Sequence, residues 1–334
     1  GYAGKSGLIA NSGLQSPGKG PGELRGIGAS ANSEWWFTNH AVFLEADRRF
    51  TSSAGAKAAE SDWDTYLTTL AKQRPGTALN GVVLTISAAE LMQSSTSDLE
   101  EQAHLLRKRL DTMAEQLQLV FPVYLMVTKL DLVQGCNEYF AGLAGAGADQ
   151  ILGATLRVSQ MQSTRPETLV GAEFESLYKT LSRRRQMRLT QAEHAAGRDG
   201  TFLFPLQFRS LGNNLQRFVR VLCEPNAYGR NPLLRGFYFS SAGGEGEVSD
   251  RVMHEMNRTL GLPAPKLSVS HPERPLFLRG FFRKVLLPDR DIARPTRGAA
   301  RRSLLVRRVS QVAALVVLAG LIVNLCVSFG RSNF

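Results

Sequence analysis

Gly1-Tyr2-Ala3-Gly4-Lys5-Ser6-Gly7-Leu8-Ile9-Ala10-Asn11-Ser12-Gly13 opens the chain and has the form of the second half of a phosphate-binding loop running into a helix. In such a loop, backbone N–H groups and the positive end of the helix surround the β-phosphate, the Lys reaches the β/γ oxygens, and the Ser hydroxyl ligates Mg²⁺. Gly4, Lys5 and Ser6, with Gly7 behind them, supply these parts for GTP or ATP with Mg²⁺. The first Gly of G-x-x-x-x-G-K-[ST] falls before Gly1, and so does the apolar strand that feeds the loop, so the chain is expected to be a piece of a longer one. A plain Gly-rich turn has the same composition. The reading therefore depends on finding the other parts of a nucleotide site.

Working outward, Ser12 to Asn32 is rich in Gly, Pro and Ser without apolar periodicity, where a switch loop would lie. Glu34-Trp35-Trp36-Phe37-Thr38 and Ala41-Val42-Phe43-Leu44-Glu45 read as two short strands around a turn at Asn39-His40. The second ends on Glu45, the place of a Walker B carboxylate, which with Ser6 would hold Mg²⁺. Trp63, Tyr66, Leu67 and Leu70 fall at helical spacing and read as core. Gly81 to Ser87 is a near-continuous apolar run, as in a strand covered on both faces of a parallel sheet. Ser97 and Glu100 spell a capping box, and Leu99, Ala103, Leu106, Leu110, Met113 and Leu117 trace one stripe, with Arg107, Lys108 and Arg109 on its solvated side. Pro122 to Val127 is a buried strand running into Thr128-Lys129-Leu130-Asp131, of the form [NT]-K-x-D. There the Asp pairs with the guanine N1 and N2 hydrogens and the Lys stem covers the base or ribose. The carboxyl end of a strand is where open α/β sheets bind ligands. Ile151 to Val158 would close the sheet. Residues 1–160 thus predict an α/β, P-loop small-GTPase-like domain with a mostly parallel sheet.

From Pro166 the character changes. Glu173 to Arg188 and the stripe Leu215, Phe218, Val219 and Leu222 are helical, Arg235 to Ser241 reads as a strand, and Leu276 to Leu287 reads as an amphipathic helix. Residues 161–293 are drawn as a mainly helical cytosolic domain, 294–308 as a basic juxtamembrane segment and 309–330 as a transmembrane helix. From Val309 to Gly330 no residue is charged, enough to cross a hydrocarbon core that takes roughly 20 residues. Arg294, Arg297, Arg301, Arg302, Arg307 and Arg308 precede it and Arg331 follows, so the positive-inside rule puts the bulk of the chain in the cytosol. The run faces anionic lipid and explains much of the net charge of +11, so nucleic acid is not needed as a partner. Cys136, Cys223 and Cys326 have no metal or disulfide spacing, and His194, His254 and His271 stand isolated.

These segments together resemble the TssM/IcmF family, inner-membrane proteins of bacterial type VI secretion systems. The similarity runs through Gly4-Lys5-Ser6 with Ala10 to Leu14, Trp35 to Thr38, Arg74-Pro75 with Asn80 to Val82, Phe121 to Asp131, Leu234 to Ser241, and Leu276-Phe277 with Phe281 to Pro288. It implies an inner-membrane location, two earlier membrane helices and a large periplasmic region. It also implies partners: TssL, baseplate subunits such as TssK, TssJ through the periplasmic part, and further copies of the chain within the complex. Where many members read Asp-Thr-Ala-Gly-Arg-Tyr, this chain reads Glu45-Ala46-Asp47-Arg48-Arg49-Phe50. Arg48 replaces the Gly whose N–H approaches the γ-phosphate, and Ala46 removes a hydroxyl. Two readings stay open, with no residue singled out as catalytic. One is a cytosolic module and membrane anchor that docks the baseplate, with nucleotide as a conformational ligand. The other is a membrane-tethered GTPase or ATPase whose hydrolysis drives assembly.

Overall fold

The computed structural model describes residues 4–17, 27–30, 33–51, 56–74, 76–143, 145–191, 195–226, 231–242 and 275–332. The short helix α1, Lys5–Ala10, is followed by strands β1, Ile27–Ser30, β2, Ser33–Phe37, and β3, Val42–Ala46. Helix α2, Ala56–Gln73, leads to β4, Val82–Ser87, then α3, Ala88–Gln93, α4, Thr96–Gln116, β5, Leu119–Val120, and β6, Pro122–Thr128. Next come α5, Cys136–Phe140, β7, Leu152–Thr155, α6, Gln160–Ser163, and the long pair α7, Pro166–Gln191, and α8, Ala195–Leu222. Strand β8, Leu233–Phe239, α9, Leu278–Phe281, β9, Arg294–Pro295, and α10, Arg297–Ser332, complete the order.

Strands β4, β6 and β8 are parallel and β7 runs antiparallel at the edge, in the order β4-β6-β8-β7. Side chains of a strand alternate between faces, and β6 shows the consequence. Val123, Leu125 and Val127 enter a core with α2, α4, α7 and α8, while Tyr124 and Met126 enter a second core with α1, Trp36 and 278–285. Strand β8 divides likewise, with Phe237 and Phe239 in the first core and Tyr238 in the second. A strand from the stretch drawn as a separate helical region therefore lies in the middle of the sheet. The expected hairpin is formed by β2 and β3, but with β1 it makes a separate three-stranded antiparallel sheet. Phe43 and Leu44 of β3 nevertheless pack on the same two cores as Val83 and Leu84 of β4.

Three local expectations change. The capping box belongs to Ser87 and Glu90 at α3, and α4 is capped by the Ser95 hydroxyl, which accepts from the Asp98 N–H at 3.2 Å. Both starts carry an acid at N3, so the spacing alone does not separate them. Arg107 and Arg109 are buried: Arg107 pairs with Asp111 and donates to the carbonyls of Leu222 and Glu224, and Arg109 donates to the carbonyl of Phe50. Guanidinium donors satisfy carbonyls at the ends of neighbouring segments, which makes their burial tolerable. Instead of one amphipathic helix, 276–287 forms the single turn α9 and then a π-turn over Phe282–Leu286, closed by Leu287 N–H to the Phe282 carbonyl at 3.0 Å.

The approach to α10 is fastened to the sheet. Asp289 accepts from Tyr124 Oη at 2.9 Å and from Arg235 Nε at 2.8 Å, Asn80 donates to the Arg290 carbonyl, and β9 pairs with β5. Beyond it, Val309, Val312, Leu315 to Leu318 and Leu321 to Val323 are 54–67% exposed. Among the described residues no helix is long and apolar enough to cross a membrane. The expected span over 309–330 is not shown by the structure.

Candidate functional site

Helix α1 begins at Gly4, whose φ of +66° is a left-handed conformation that suits Gly. This turn aims the first helical side chains at the carboxyl end of β3. Lys5 Nζ donates to the Ala46 carbonyl at 2.5 Å, and Ser6 Oγ donates to Glu45 Oε1 at 2.9 Å. The other carboxylate oxygen, Oε2, accepts from Trp36 Nε1 at 3.2 Å. Burial pushes the Lys5 ammonium below its usual range, opposed by the nearby Glu45 and Asp47 carboxylates. A partly desolvated ammonium is stabilised by opposite charge, which Glu45 and Asp47 supply here.

The Thr-Lys-x-Asp stretch meets the same loop from β6. A Cβ placed on Gly4 would lie 3.8 Å from the Thr128 hydroxyl and 3.9 Å from the Lys129 stem. Lys129 itself has φ +56°, uncommon for a residue with a side chain. Asp131 is 6% exposed and accepts a hydrogen bond from the Ser241 hydroxyl. Ser240 ties the two strand ends together: its N–H donates to the Val127 carbonyl at 2.9 Å and its carbonyl accepts from Leu130 N–H at 3.0 Å. Ala242 follows at the back of α1, where Asn11 Nδ2 donates to its carbonyl at 3.2 Å and a Cβ on Gly7 would meet its methyl at 3.5 Å.

Gly4, Lys5, Ser6, Glu45, Thr128 and Lys129 thus share one corner, and Asp131 stands behind it with Ser241. Sequence reasoning missed Ser241 and Trp36. The signal for Ser241 was the small polar end of an apolar strand, but only the adjacency of β8 to β6 gives it a partner. Trp36 was legible as a strand aromatic; its indole donor acquires a role because Trp36 and Glu45 lie on neighbouring strands. Gly1 to Ala3 and residues 243–274, His254 and His271 among them, lie outside the described residues, as does His194. Among the described residues no group of three or more His, Cys, Asp or Glu is placed to hold a metal. The donor set fits Mg²⁺ all the same, since that ion takes one or two protein oxygens and fills its shell with water and phosphate. Ser6 Oγ and Glu45 Oε1 are such a pair. Cys136 and Cys223 are buried, and burial raises both thiols, Cys223 to about 12, so neither is a reactive thiolate.

The profile of the IcmF-related N-terminal domain matches residues 56–314. The chain is 33% identical over 324 residues to "Type VI secretion system component TssM1" of Pseudomonas aeruginosa, across 95% of this chain. It spans 29% of that relative's length. No solved structure matches it. With the family profile covering most of the chain, from α2 into α10, the chain belongs to the IcmF-related (TssM/IcmF) family.

Proposed function

We propose that the chain is a cytosolic module and membrane anchor of a type VI secretion membrane complex at the bacterial inner membrane. The observation that carries this is α10, a 36-residue helix whose described apolar side chains, from Val309 on, are exposed on every side and follow the arginines of 294–308 in the sequence. Nine bare valines, leucines and isoleucines in water would cost far more than a helix end of this kind can recover, whereas lipid removes that cost. By the positive-inside rule the arginines of 294–308 support the cytosolic face for this module, where they would meet anionic lipid. Similarity to TssM1 supports membrane-complex partners; TssL, the TssK side of the baseplate and, through a periplasmic part, TssJ are the specific ones proposed. Flotation of the 334-residue chain with phosphatidylglycerol-containing vesicles tests the anchor. It is expected to resist carbonate extraction, and release of the whole chain into the soluble fraction would overturn the reading.

A second reading is favoured by the Lys5, Ser6 and Glu45 geometry: the corner binds GTP or ATP with Mg²⁺ as a ligand that fixes one conformation. Bound Mg²⁺ would neutralise phosphate charge. Lys5 would exchange the Ala46 carbonyl for phosphate oxygens, and Ser6 and Glu45 would orient the ion's shell. A ligand shifts the protein only if it binds two states differently, and here the state described has Lys5 engaged by β3. Among the described residues β3 and β4 are edge strands of their two sheets, and their side chains share both cores. Whether the site also turns over, as in a membrane-tethered NTPase, is decided by phosphate release from wild type against Lys5→Ala. Equal rates remove the enzyme.

A further inference from the structure

We infer that the outer face of α8, where α7 crosses it, docks an acidic amphipathic helix of a partner protein. Arg198, Phe202, Leu206 and Arg209 recur at i, i+4, i+8 and i+11 and are all exposed, so they form one stripe along α8. The core side of that helix is already supplied by Phe204, Phe208, Leu211 and Leu215, all fully buried. Phe202 and Leu206, 47% and 41% exposed, are therefore not needed for packing. The guanidinium of Arg185, from α7, lies over the Phe202 ring at 4.6 Å, and that of Arg209 over the Tyr178 ring at 4.9 Å. An apolar centre is thus flanked by cations at both ends and along one side.

Charge selects the occupant. From Leu177 to Gln191 α7 carries five cations and no acid, and on α8 Asp199 is set against Arg198 and Arg209. Stacking on a ring restricts a guanidinium's rotamers and leaves its planar fork free for a carboxylate, so less entropy is lost when an acidic partner arrives. Apolar residues at i and i+4 with arginines around them match a helix that presents leucines on one stripe and glutamates on both flanks. A lipid surface would meet the same arginines, but two adjacent apolar side chains give it little to bury, so the protein partner is favoured.

The test uses the whole chain held in phosphatidylcholine nanodiscs and a fluorescein-labelled helix of about five turns with leucines on one face and glutamates beside them. Saturable binding is expected by anisotropy. It should weaken at least about tenfold with Phe202→Ser plus Leu206→Ser, and equally with Arg185→Glu plus Arg209→Glu, the latter loss being regained when lysines replace the peptide's glutamates. All four positions are on the surface of helices, so unchanged melting curves confirm that the variants fold. No binding by the wild type, or binding indifferent to these substitutions, overturns the inference. So does a result in which the variants bind the peptide normally and lose only their attachment to phosphatidylglycerol vesicles.

Discussion

Lys5, Ser6 and Trp36 converge on the last two residues of β3, and each contact can be removed singly. Glu45 has one oxygen on Ser6 and the other on Trp36. Trp36→Phe keeps a ring in the second core and deletes the N–H donor, so a loss of about 1.5–3 kcal/mol is expected in urea unfolding, the size of a hydrogen bond to a charged group. The same change should raise the Mg²⁺ concentration needed for fluorescent GTP to bind, and identical Mg²⁺ titrations would show that the indole does not orient Glu45. Lys5→Ala should abolish nucleotide binding while leaving the fold intact, because Lys5 gives its head group to one partly buried carbonyl at the end of β3 and belongs to neither core cluster. Asp131→Asn should shift preference from guanine toward xanthine nucleotides in competition binding; Ser241→Ala should weaken both, since it frees the carboxylate without changing its chemistry. Gly135 makes a separate point about backbone. Its φ is +81°, and a Cβ there would sit 2.1 Å from the Gly200 carbonyl oxygen, pinning α5 against α8. Gly135→Ala combines left-handed strain with a backbone clash and is expected to cost about 3 kcal/mol or more by thermal melting.

At the scale of elements, the fastening of 288–296 to the sheet determines how α10 leaves the domain. Asp289 satisfies Tyr124 and Arg235 together, and burial with the Asp289 hydrogen bond raises the Tyr124 hydroxyl well above its usual range, so Tyr124 donates at any physiological pH. Asp289→Ala leaves a half-buried guanidinium and a phenol without that partner. A loss on the order of 2 kcal/mol is expected, together with faster amide exchange across the β5–β9 pair; exchange confined to other segments would show that the pair holds without Asp289. Element identity was largely legible in the chain. The run Pro122 to Val127 is apolar at every position, as a strand covered on both faces must be, and the stripe from Leu99 to Leu117 fixed α4. Arg107 and Arg109 were misjudged because a sequence shows two charged positions on one helix, not that the carbonyls of Leu222 and Glu224 end beside one of them and that of Phe50 beside the other. The strand β1 went unread because nothing alternates in its four residues.

Across the whole molecule, α1 and 278–285 share one core with Trp36, Tyr124 and Tyr238, and Phe43 of β3 meets Phe282 edge-on at 5.5 Å. The loop that would hold phosphate is therefore packed against the segment that leads into α10. Hydrogen exchange of 278–286 is expected to slow when Mg²⁺ and GTP are added, and a response limited to 4–10 would show that the shared core does not transmit the change. The family, the α/β class, the Gly-Lys-Ser turn into α1 and the apolar helix α10 could all be read from residue order, since each depends on local pattern: a glycine before a helix, buried runs, an uncharged stretch after arginines. Which strands become neighbours could not. Placing β8 between β6 and β7 brings Ser241 to Asp131, ties Arg235 to Asp289, and makes the stretch after Pro166 part of the sheet. Strand order is set by the burial of two faces at once, which sums contacts between residues more than a hundred positions apart, and no local pattern encodes that sum.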